Sequence, residues 1–555
     1  MKKLSWVVAP AVFLLFFGIY SFRLGIQPAL MHDDYEYTYP SFSLAERGNF
    51  GSPLLGPGLN IENRTYNLIV YYYASVHAVL IRVFGDGPQS IPLANTFHFA
   101  LLAAAGAFFL VRREAFLGLF VFLYALVSDE RMVDAARHGR PEMTAGFCLT
   151  MGVLALWLWR GEGRHRPLVL FGMSAALTAG MLSHTSVVFF TLALALVFAA
   201  RLARDAGPRE IVAGLLPYLA VPFLYGYFIL TDSVENLRGQ LAPSRGDVRL
   251  GRTLLPLLDR DWSALWSLAG EFVRSHAGPP ALWLGVLACL VLPAVVSHPL
   301  ARRARFFAAV YCLFFLVHFL CLKHFVLSYR AIYQATLYLA LALLADALLA
   351  GLARRLEKPS WIRALRLCGI AALVALSAGS VSRFRDGLTG QPQPFARLQG
   401  ALTYALLESG ARPGDRVFVP SPFGFHLRRK FDVVAYPAPK YFRGRWSPAF
   451  RDGVREVWGA ETLARVDTES LCYAMGLAFI RPTWVLSWDA DYSSVQPFYQ
   501  FLHKYPNLPG MQVTRAQRAI LPAPYSGTVR AYRLSFSDAI GALDRTLYPG
   551  QTSCP

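Results

Sequence analysis

Apolar runs close to the length of a membrane span recur along the first 382 residues of the chain. A helix needs about 20 apolar residues in succession to cross the hydrocarbon core of a bilayer. The first run covers Trp6 to Tyr20, and the later runs fall at 66–84, 91–111, 115–127, 143–159, 168–183, 187–200, 211–230, 281–298, 306–322, 331–350 and 367–382. The pattern predicts a polytopic α-helical membrane protein with about eleven transmembrane helices.

The composition agrees with this prediction. The 555 residues are 55% hydrophobic and 16% charged, whereas a soluble protein carries about a quarter charged residues. A basic start at Lys2 and Lys3 followed by an apolar centre is also typical of a signal peptide. No small-x-small cleavage site follows, so we interpret the first run as a retained helix.

Short basic loops predict the sidedness of the chain, because such loops stay on the cytoplasmic side. Strict alternation places four of them on one face, at 160–166, 201–209, 302–305 and 354–366. The loops 24–65, 128–142 and 231–280, the turn at His184, the segment 323–330 and everything after Arg383 then lie outside. Within 66–127 we expect the short run 115–127 to dip into the membrane without crossing, with one extra pass as the alternative. The net charge of +19 is explained by the basic loops, so nucleic acid is not an expected partner.

After residue 384 the apolar runs shorten and Pro, Arg and Asp become frequent. The pattern predicts a transmembrane module over 1–384 and a soluble α/β or α+β domain over 385–555, outside the cytoplasm. Cys472 and Cys554 are the two cysteines of this part and are a candidate disulfide in an oxidising compartment. The basic run 428–430 suits anionic lipid or glycan, although an ordinary solvated face explains it as well.

Acidic and basic residues gather in two of the predicted outer loops. The first loop contains Asp33, Asp34 and Glu36, followed by Glu62 and Arg64. The second loop contains the segment 129–142, which ends in Arg137-His138-Gly139-Arg140-Pro141-Glu142. Acids from two loops with bases nearby suit a reaction that deprotonates an acceptor and stabilises a departing phosphate. Each loop taken alone is equally consistent with a solvated surface, and charges at i, i+3 and i+4 in the second could pair along a helix.

The order of these motifs resembles the GT-C superfamily of membrane glycosyltransferases, which use polyprenyl-phosphate sugars and include aminoarabinose transferases and protein O-mannosyltransferases. The segment 33–37, Asp-Asp-Tyr-Glu-Tyr, is similar to the acid pair and aromatics that open the family's first outer loop. The segment 62–66 resembles a later acid-base motif but lacks its two prolines. The segments 136–142 and 328–330 resemble the second outer loop and the start of a late helix. The likeness covers the architecture of the first 380 residues, and its motifs mainly the first 150.

This resemblance implies an inverting glycosyltransferase with its site on the outer face of a bacterial plasma membrane. It implies that Asp34, or else Asp33, takes the acceptor proton, while Glu62 orients the acceptor or holds a metal and Glu142 assists. The residues implied in substrate or phosphate binding are Arg64, Arg140, Arg137, His138, Lys323, Arg330 and Tyr37. The implied partners are a polyprenyl-phosphate sugar donor, membrane lipid, and a lipid, glycan or protein acceptor.

No cofactor is required by the sequence. A divalent metal held by Glu62 and a histidine such as His276 stays an alternative, although no tight ligand spacing appears. Two other functions also stay open. A flippase of lipid-linked glycans would show broken spans in matching halves, which we do not find. A glycan polymerase or ligase would use basic residues of a late outer loop, and the segment 231–280 contains Arg238, Arg245, Arg249, Arg252, Arg260 and His276.

Overall fold

The computed structural model describes residues 2–24, 32–51, 70–159, 165–231, 259–276, 280–296, 298–321, 327–356, 359–389, 394–435, 447–488, 501–502, 504–521 and 527–543. For a few of them, 32–36 included, only the backbone is described. Sixteen α-helices lie among the described residues up to position 389. They are α1 (Lys2–Tyr20), α2 (His32–Arg47), α3 (Tyr71–Phe84), α4 (Leu93–Arg112), α5 (Phe116–Ser128), α6 (Glu130–Arg137), α7 (Glu142–Trp159), α8 (Arg166–Met181), α9 (Ser186–Asp205), α10 (Pro208–Leu215), α11 (Ala220–Thr231), α12 (Trp262–His276), α13 (Pro280–Val291), α14 (Pro299–Cys321), α15 (Ala331–Leu356) and α16 (Pro359–Thr389).

Six of the described helices are long and apolar enough to cross a membrane. The qualifying segments are Lys3–Tyr20, Leu93–Arg112, Glu142–Trp159, Pro299–Cys321, Ala331–Ala353 and Arg363–Asp386. Shorter apolar helices include α5, α8 and most of α9. The structure therefore supports six of the eleven expected crossings, and the other five stay predictions.

Helix α5 packs against α15 from the start of α5 to its end. Near its start, the Gly118 amide donates to Asp346 Oδ2 over 2.6 Å, and Asp346 also pairs with Arg366 over 3.3 Å. Just past its end, Asp129 accepts a hydrogen bond from the hydroxyl of Tyr338. The two helices approach closely, because a Cβ added at Gly118 would collide with the Ala342 carbonyl oxygen. This differs from the expectation that 115–127 only dips into the membrane.

Helix α3 lies at one end of the bundle instead of crossing it. At its start, the Tyr73 hydroxyl donates to the Gly139 carbonyl over 2.6 Å. At its end, Arg82 donates to the Leu44 carbonyl over 3.2 Å, and Asp86 pairs with Arg428 of the C-terminal part. We call this the domain end, and the opposite end, which contains Arg366, the basic end. Because α5 crosses the bundle and α3 does not, Arg112 and Arg113 lie at the basic end and not at the domain end. This placement agrees with the tendency of basic residues to gather on one side of the membrane.

The C-terminal part forms a six-stranded mixed sheet with helices packed on it. Its strands have the order β2-β1-β3-β6-β5-β4, in which β1, β2 and β3 are parallel and β3 to β6 pair antiparallel. The strands are β1 (Arg416–Val419), β2 (Asp432–Ala435), β3 (Trp484–Trp488), β4 (Asn507–Leu508), β5 (Met511–Ile520) and β6 (Thr528–Phe536). The helices are α17 (Pro394–Leu407), α18 (Ser421–Leu427), α19 (Pro448–Arg465), α20 (Thr468–Ile480) and α21 (Asp538–Ala542).

Helix α2 joins the bundle to the sheet. Its buried Tyr39 and Phe42 belong to the same apolar cluster as Phe423 and Leu427 of α18. The guanidinium of Arg428 lies over the Phe42 ring at 5.1 Å and contacts Glu46 at 3.4 Å and Asp86 at 3.0 Å. Arg429 also pairs with Asp86, over 2.6 Å. Arg428 and Arg429 thus hold the C-terminal part on the bundle, which gives them an intramolecular role instead of the lipid or glycan contact that their sequence suggests.

We expect the Asp86–Arg428 pair to contribute about 1 kcal/mol of coupling energy at neutral pH, as partly exposed ion pairs do. Burial alone raises the pKa of Asp86, but the hydrogen bond from Arg429 and the two guanidinium charges lower it below its ordinary value of 3.8. A lowered carboxyl pKa stabilises the fold above the unfolded pKa, and this contribution is lost as the pH falls through the folded pKa. A double-mutant cycle of Asp86→Asn and Arg428→Gln, read from thermal unfolding, should show coupling at pH 7 that weakens below about pH 4 and is lost once the folded Asp86 is protonated.

The exposed pair of Asp452 and Arg455 is the control for this cycle, since it lies on α19 away from the bundle. Its coupling should be close to zero at both pH values. Equal coupling in the two pairs would contradict the role of Asp86 in joining the two parts.

Candidate active site at the domain end

The acid that the second outer loop was predicted to contribute lies buried at the first turn of α7. The Glu142 side chain is 2% exposed, and one of its oxygens lies 2.8 Å from Arg140 Nη2. A buried carboxylate is costly unless it is paired, so this contact accounts for its burial. The position at a helix N-terminus also favours a negative charge. The loop before α7 therefore presents an arginine whose guanidinium is oriented by the carboxylate beside it.

The side-chain amide of one residue on α4 holds this loop in place through hydrogen bonds. Asn95 is fully buried, and its Nδ2 donates to the carbonyls of His138, over 2.7 Å, and of Arg140. Its Oδ1 accepts from the amide of Thr144 over 3.2 Å and from the Thr144 hydroxyl over 2.9 Å. A single side chain thus binds the chain on both sides of Arg140 and Glu142. Because buried backbone groups need such partners, the loop has one well-defined conformation.

A histidine from another turn faces the same loop. His184 lies between α8 and α9, is 6% exposed, and its Nδ1 accepts from the Ser186 hydroxyl over 2.6 Å. Burial lowers the pKa of His184 to about 4, while the charge of Glu142 raises this pKa and that of Arg140 lowers it. Its ring meets that of Tyr329 edge to face at 4.8 Å. His184 therefore connects the loop before α7 with the short turn that precedes α15.

That turn contributes a second arginine to the site, and this one is buried. Arg330 is 4% exposed, and its Nε donates to Gln334 Oε1 over 2.7 Å. It also hydrogen-bonds Tyr311. Within the part of the chain that the structure describes, no carboxylate forms an ion pair with Arg330. The guanidinium can therefore take an anionic partner, and arginine suits the bidentate recognition of phosphate.

Comparison with known proteins identifies the fold. No protein-family model matches the sequence, and no curated protein matches it. Among solved structures, apo ArnT from Cupriavidus metallidurans has a TM-score of 0.57 and 14% identity, covering 96% of this chain and 98% of that one. The same protein bound to undecaprenyl phosphate has a TM-score of 0.50 and 14% identity, covering 95% and 97%. The chain has an ArnT-like fold.

This finding confirms the resemblance drawn from the motif order at the level of fold. The archaeal oligosaccharyltransferase AglB from Archaeoglobus fulgidus, in complex with an inhibitory peptide and a dolichol-phosphate, has a TM-score of 0.42 and 12% identity, with 86% and 69% coverage. Together with the apolar helices, the ArnT likeness shows that the chain is a multi-pass membrane protein.

The first predicted loop contains a helix. Asp33 and Asp34 lie in the first turn of α2, a segment expected to be a loop, and their side chains are outside the described ones. Tyr37, half-buried, packs on the small apolar cluster that contains Tyr73. Since Tyr73 contacts Gly139, α2 and Glu142 share the domain end. The predicted meeting of the two loops therefore agrees with the backbone, while the catalytic assignments stay predictions.

Arg137 differs from its predicted role. It is almost fully buried, and its guanidinium donates to the carbonyls of Tyr20, Phe22 and Arg23 over 2.6, 3.1 and 3.0 Å. It also lies over the Phe384 ring at 4.8 Å. These carbonyls follow the end of α1, where the helix leaves acceptors unsatisfied. Arg137 therefore joins α1, α6 and α16, which is a structural task, and its predicted phosphate contact stays a prediction.

The remaining predicted residues stay predictions. His138 is half-buried, and its carbonyl accepts from Asn95. Glu62, Arg64, Lys323 and the side chain of His276 lie outside the described part of the chain. Cys472 is disulfide-bonded, whereas Cys554 lies outside the described residues, so their pairing stays a prediction. Among the described side chains, no group of three His, Cys, Asp or Glu residues could hold a metal ion.

Sequence reasoning placed the turn at His184 on the same face as the two acidic loops, but it did not assign Asn95 or Thr144 to the site. A signal for both existed, because they are polar residues inside apolar runs, and such residues mark functional or structural contacts. Asn95 and His98 lie on one face of α4, and His98 Nδ1 is 3.1 Å from the Thr144 hydroxyl. The loop that Asn95 binds could be identified only from the tertiary structure.

Proposed function

We propose that the protein transfers a sugar from a polyprenyl-phosphate donor to a lipid, glycan or protein acceptor at the domain end. The observation that carries the proposal is the ion pair between the partly exposed Arg140 and the buried Glu142, electrostatically coupled to His184, at the end of the bundle where α2 presents Asp33 and Asp34. The fold is that of ArnT, which has been solved with undecaprenyl phosphate bound. A lipid phosphate is the kind of anion that this arrangement suits.

The proposed chemistry is an inverting displacement at the sugar. Asp34 takes the proton from the acceptor hydroxyl, whose oxygen forms a bond to C1 of the sugar. The bond from C1 to the phosphate oxygen breaks on the opposite face, and polyprenyl phosphate leaves with the negative charge. Arg140 and Arg330 stabilise that charge as it develops. Glu142 holds the Arg140 guanidinium in place, and Asp33 is the alternative base.

The proposed orientation places the domain end and the C-terminal sheet on the periplasmic side of a bacterial plasma membrane. The support is the charge of the opposite end, where Arg112, Arg113, Arg302 and Arg366 lie close to the helix termini. The same orientation puts Cys472 in a compartment where disulfides persist.

The test is a mass comparison of cell-surface lipids, glycans and proteins with and without the protein. We expect one class to lose the mass of one sugar unit. The purified protein should also release polyprenyl phosphate from a polyprenyl-phosphate sugar when that acceptor is added. Movement of a lipid-linked glycan across the membrane without a change in mass would instead show a flippase. Extension by many sugar units would show a polymerase.

A further inference from the structure

A groove at the basic end is separate from the candidate active site. It has a volume of about 1150 Å³ and lies between α1, α4, α7 and α8. Its walls are apolar and include Pro10, Ala105 and Met151. The four basic side chains that line it, from the ends of α4 and the start of α8, are Arg112, Arg113, His165 and Arg166. An apolar groove with a basic rim at a membrane surface is suited to an amphiphile with a negative head.

The length of the groove matches one leaflet of a bilayer. Its lining on α4 extends from Leu101 to Arg112, and on α7 from Phe147 to Leu158. Each interval is about 16 Å at the helical rise of about 1.5 Å per residue. The hydrocarbon core of a bilayer is about 30 Å thick. The groove thus runs from the basic end to about the middle of the membrane, which is the reach of a fatty acyl chain.

The arginines at its rim form a cluster of like charge. Arg113 lies within electrostatic reach of Arg112, and Arg303 within reach of Arg113. Among the residues that the structure describes, none of these three forms an ion pair with an acid, although Glu114 follows Arg113 directly. Like charges close together are unfavourable unless an anion compensates them.

Arg112 and Arg113 lie over the rings of Phe108 and Phe109, and Arg166 differs from them because it already has an acidic partner. Its Nη2 donates to the Asp205 carbonyl over 2.8 Å, and its Nε lies 3.4 Å from Glu210. The unmatched positive charge of the groove is therefore that of Arg112 and Arg113.

We infer that this groove binds an anionic phospholipid of the leaflet at the basic end, with its phosphodiester held by Arg112 and Arg113. One acyl chain lies along α4 and α7, where Ala105 and Met151 provide apolar contacts. Basic pockets between transmembrane helices commonly hold anionic head groups in this way. The inference concerns lipid binding alone and does not depend on the proposed sugar transfer.

Native mass spectrometry of the full-length protein tests it, with phosphatidylglycerol and phosphatidylcholine of identical acyl chains offered together. We expect the protein to retain phosphatidylglycerol in preference. The double variant Arg112→Gln/Arg113→Gln should weaken its retention on the order of tenfold. The matched control is Arg209→Gln, an exposed arginine of α10 outside the groove, which should change retention little. Equal retention of the two lipids, or equal losses in the two variants, would overturn the inference.

A second variant tests the apolar part of the groove independently of its arginines. Ala105→Phe adds a ring to the groove without altering any arginine, and it should also lower phosphatidylglycerol retention. Full retention in Ala105→Phe would show that the lipid binds elsewhere. Soluble glycerophosphate distinguishes a lipid from a free phosphate, and we expect it to displace little phosphatidylglycerol. Complete displacement by millimolar glycerophosphate would show an anion site without a lipid and would overturn the inference.

Discussion

Asp34→Asn should reduce sugar transfer by about 10²- to 10⁴-fold, the range expected for the loss of a general base. The amide cannot take the proton from the acceptor hydroxyl, although it has nearly the same shape. The position is in the first turn of α2, and the rest of that helix is fixed between α3 and the C-terminal sheet. The fold should therefore tolerate the change. The measurement is the release of polyprenyl phosphate by the purified variant at saturating donor.

Asp33→Asn is the matched comparison, since it changes the neighbouring carboxylate in the same turn. We expect it to retain more activity than Asp34→Asn. If the order is reversed, Asp33 is the base and the mechanism is otherwise unchanged. Full activity in both variants would remove the first loop from the catalytic site and leave the lipid prediction untouched.

Arg140→Met should have the second largest effect, because it removes both a phosphate contact and the partner of a buried acid. Breaking a buried ion pair from one side costs about 3 kcal/mol or more of folding free energy. Glu142 is 2% exposed, and its carboxylate would lose the guanidinium at 2.8 Å. Transfer should fall by about 10²- to 10³-fold, as when one preorganised donor to a developing charge is lost. Thermal unfolding in detergent and the release assay measure the two effects.

The double variant Arg140→Met/Glu142→Gln separates stability from catalysis. A neutral amide costs less to bury than a carboxylate, so we expect most of the unfolding temperature to return. Transfer should stay low, because no positive charge has been restored. If transfer returns together with stability, Arg140 is structural and the phosphate is held elsewhere.

The helix spans could be predicted well because a long run of apolar residues marks a segment that leaves water. The runs 91–111, 143–159 and 331–350 overlap helices whose observed bounds differ from them by a few residues. The motif order at 33–37 and 136–142 was also enough to indicate the GT-C fold. These features are local, so a single sequence contains them.

The tertiary structure decided which short run crosses the bundle. The runs 66–84 and 115–127 are both apolar, and the greater length of 66–84 favoured it as the run that crosses the membrane. The buried face of α3 packs on α2 and at the domain end, while α5 is held by Asp346 and Tyr338 of a helix more than 200 positions later. Hydropathy reports that a surface leaves water, but it does not report whether lipid or protein covers it.

The sequence by itself determined a multi-pass membrane protein, and it predicted the end at which the basic loops gather and the two loops that bring acids to one face. The tertiary structure alone decided what each polar side chain binds. Arg137 binds the carbonyl at the end of α1, and Arg140 forms an ion pair with Glu142. Asn95 binds the loop that contains both Arg140 and Glu142. The physical reason is that burial of a polar group is stable only with a specific partner, and that partner lies far away in the chain.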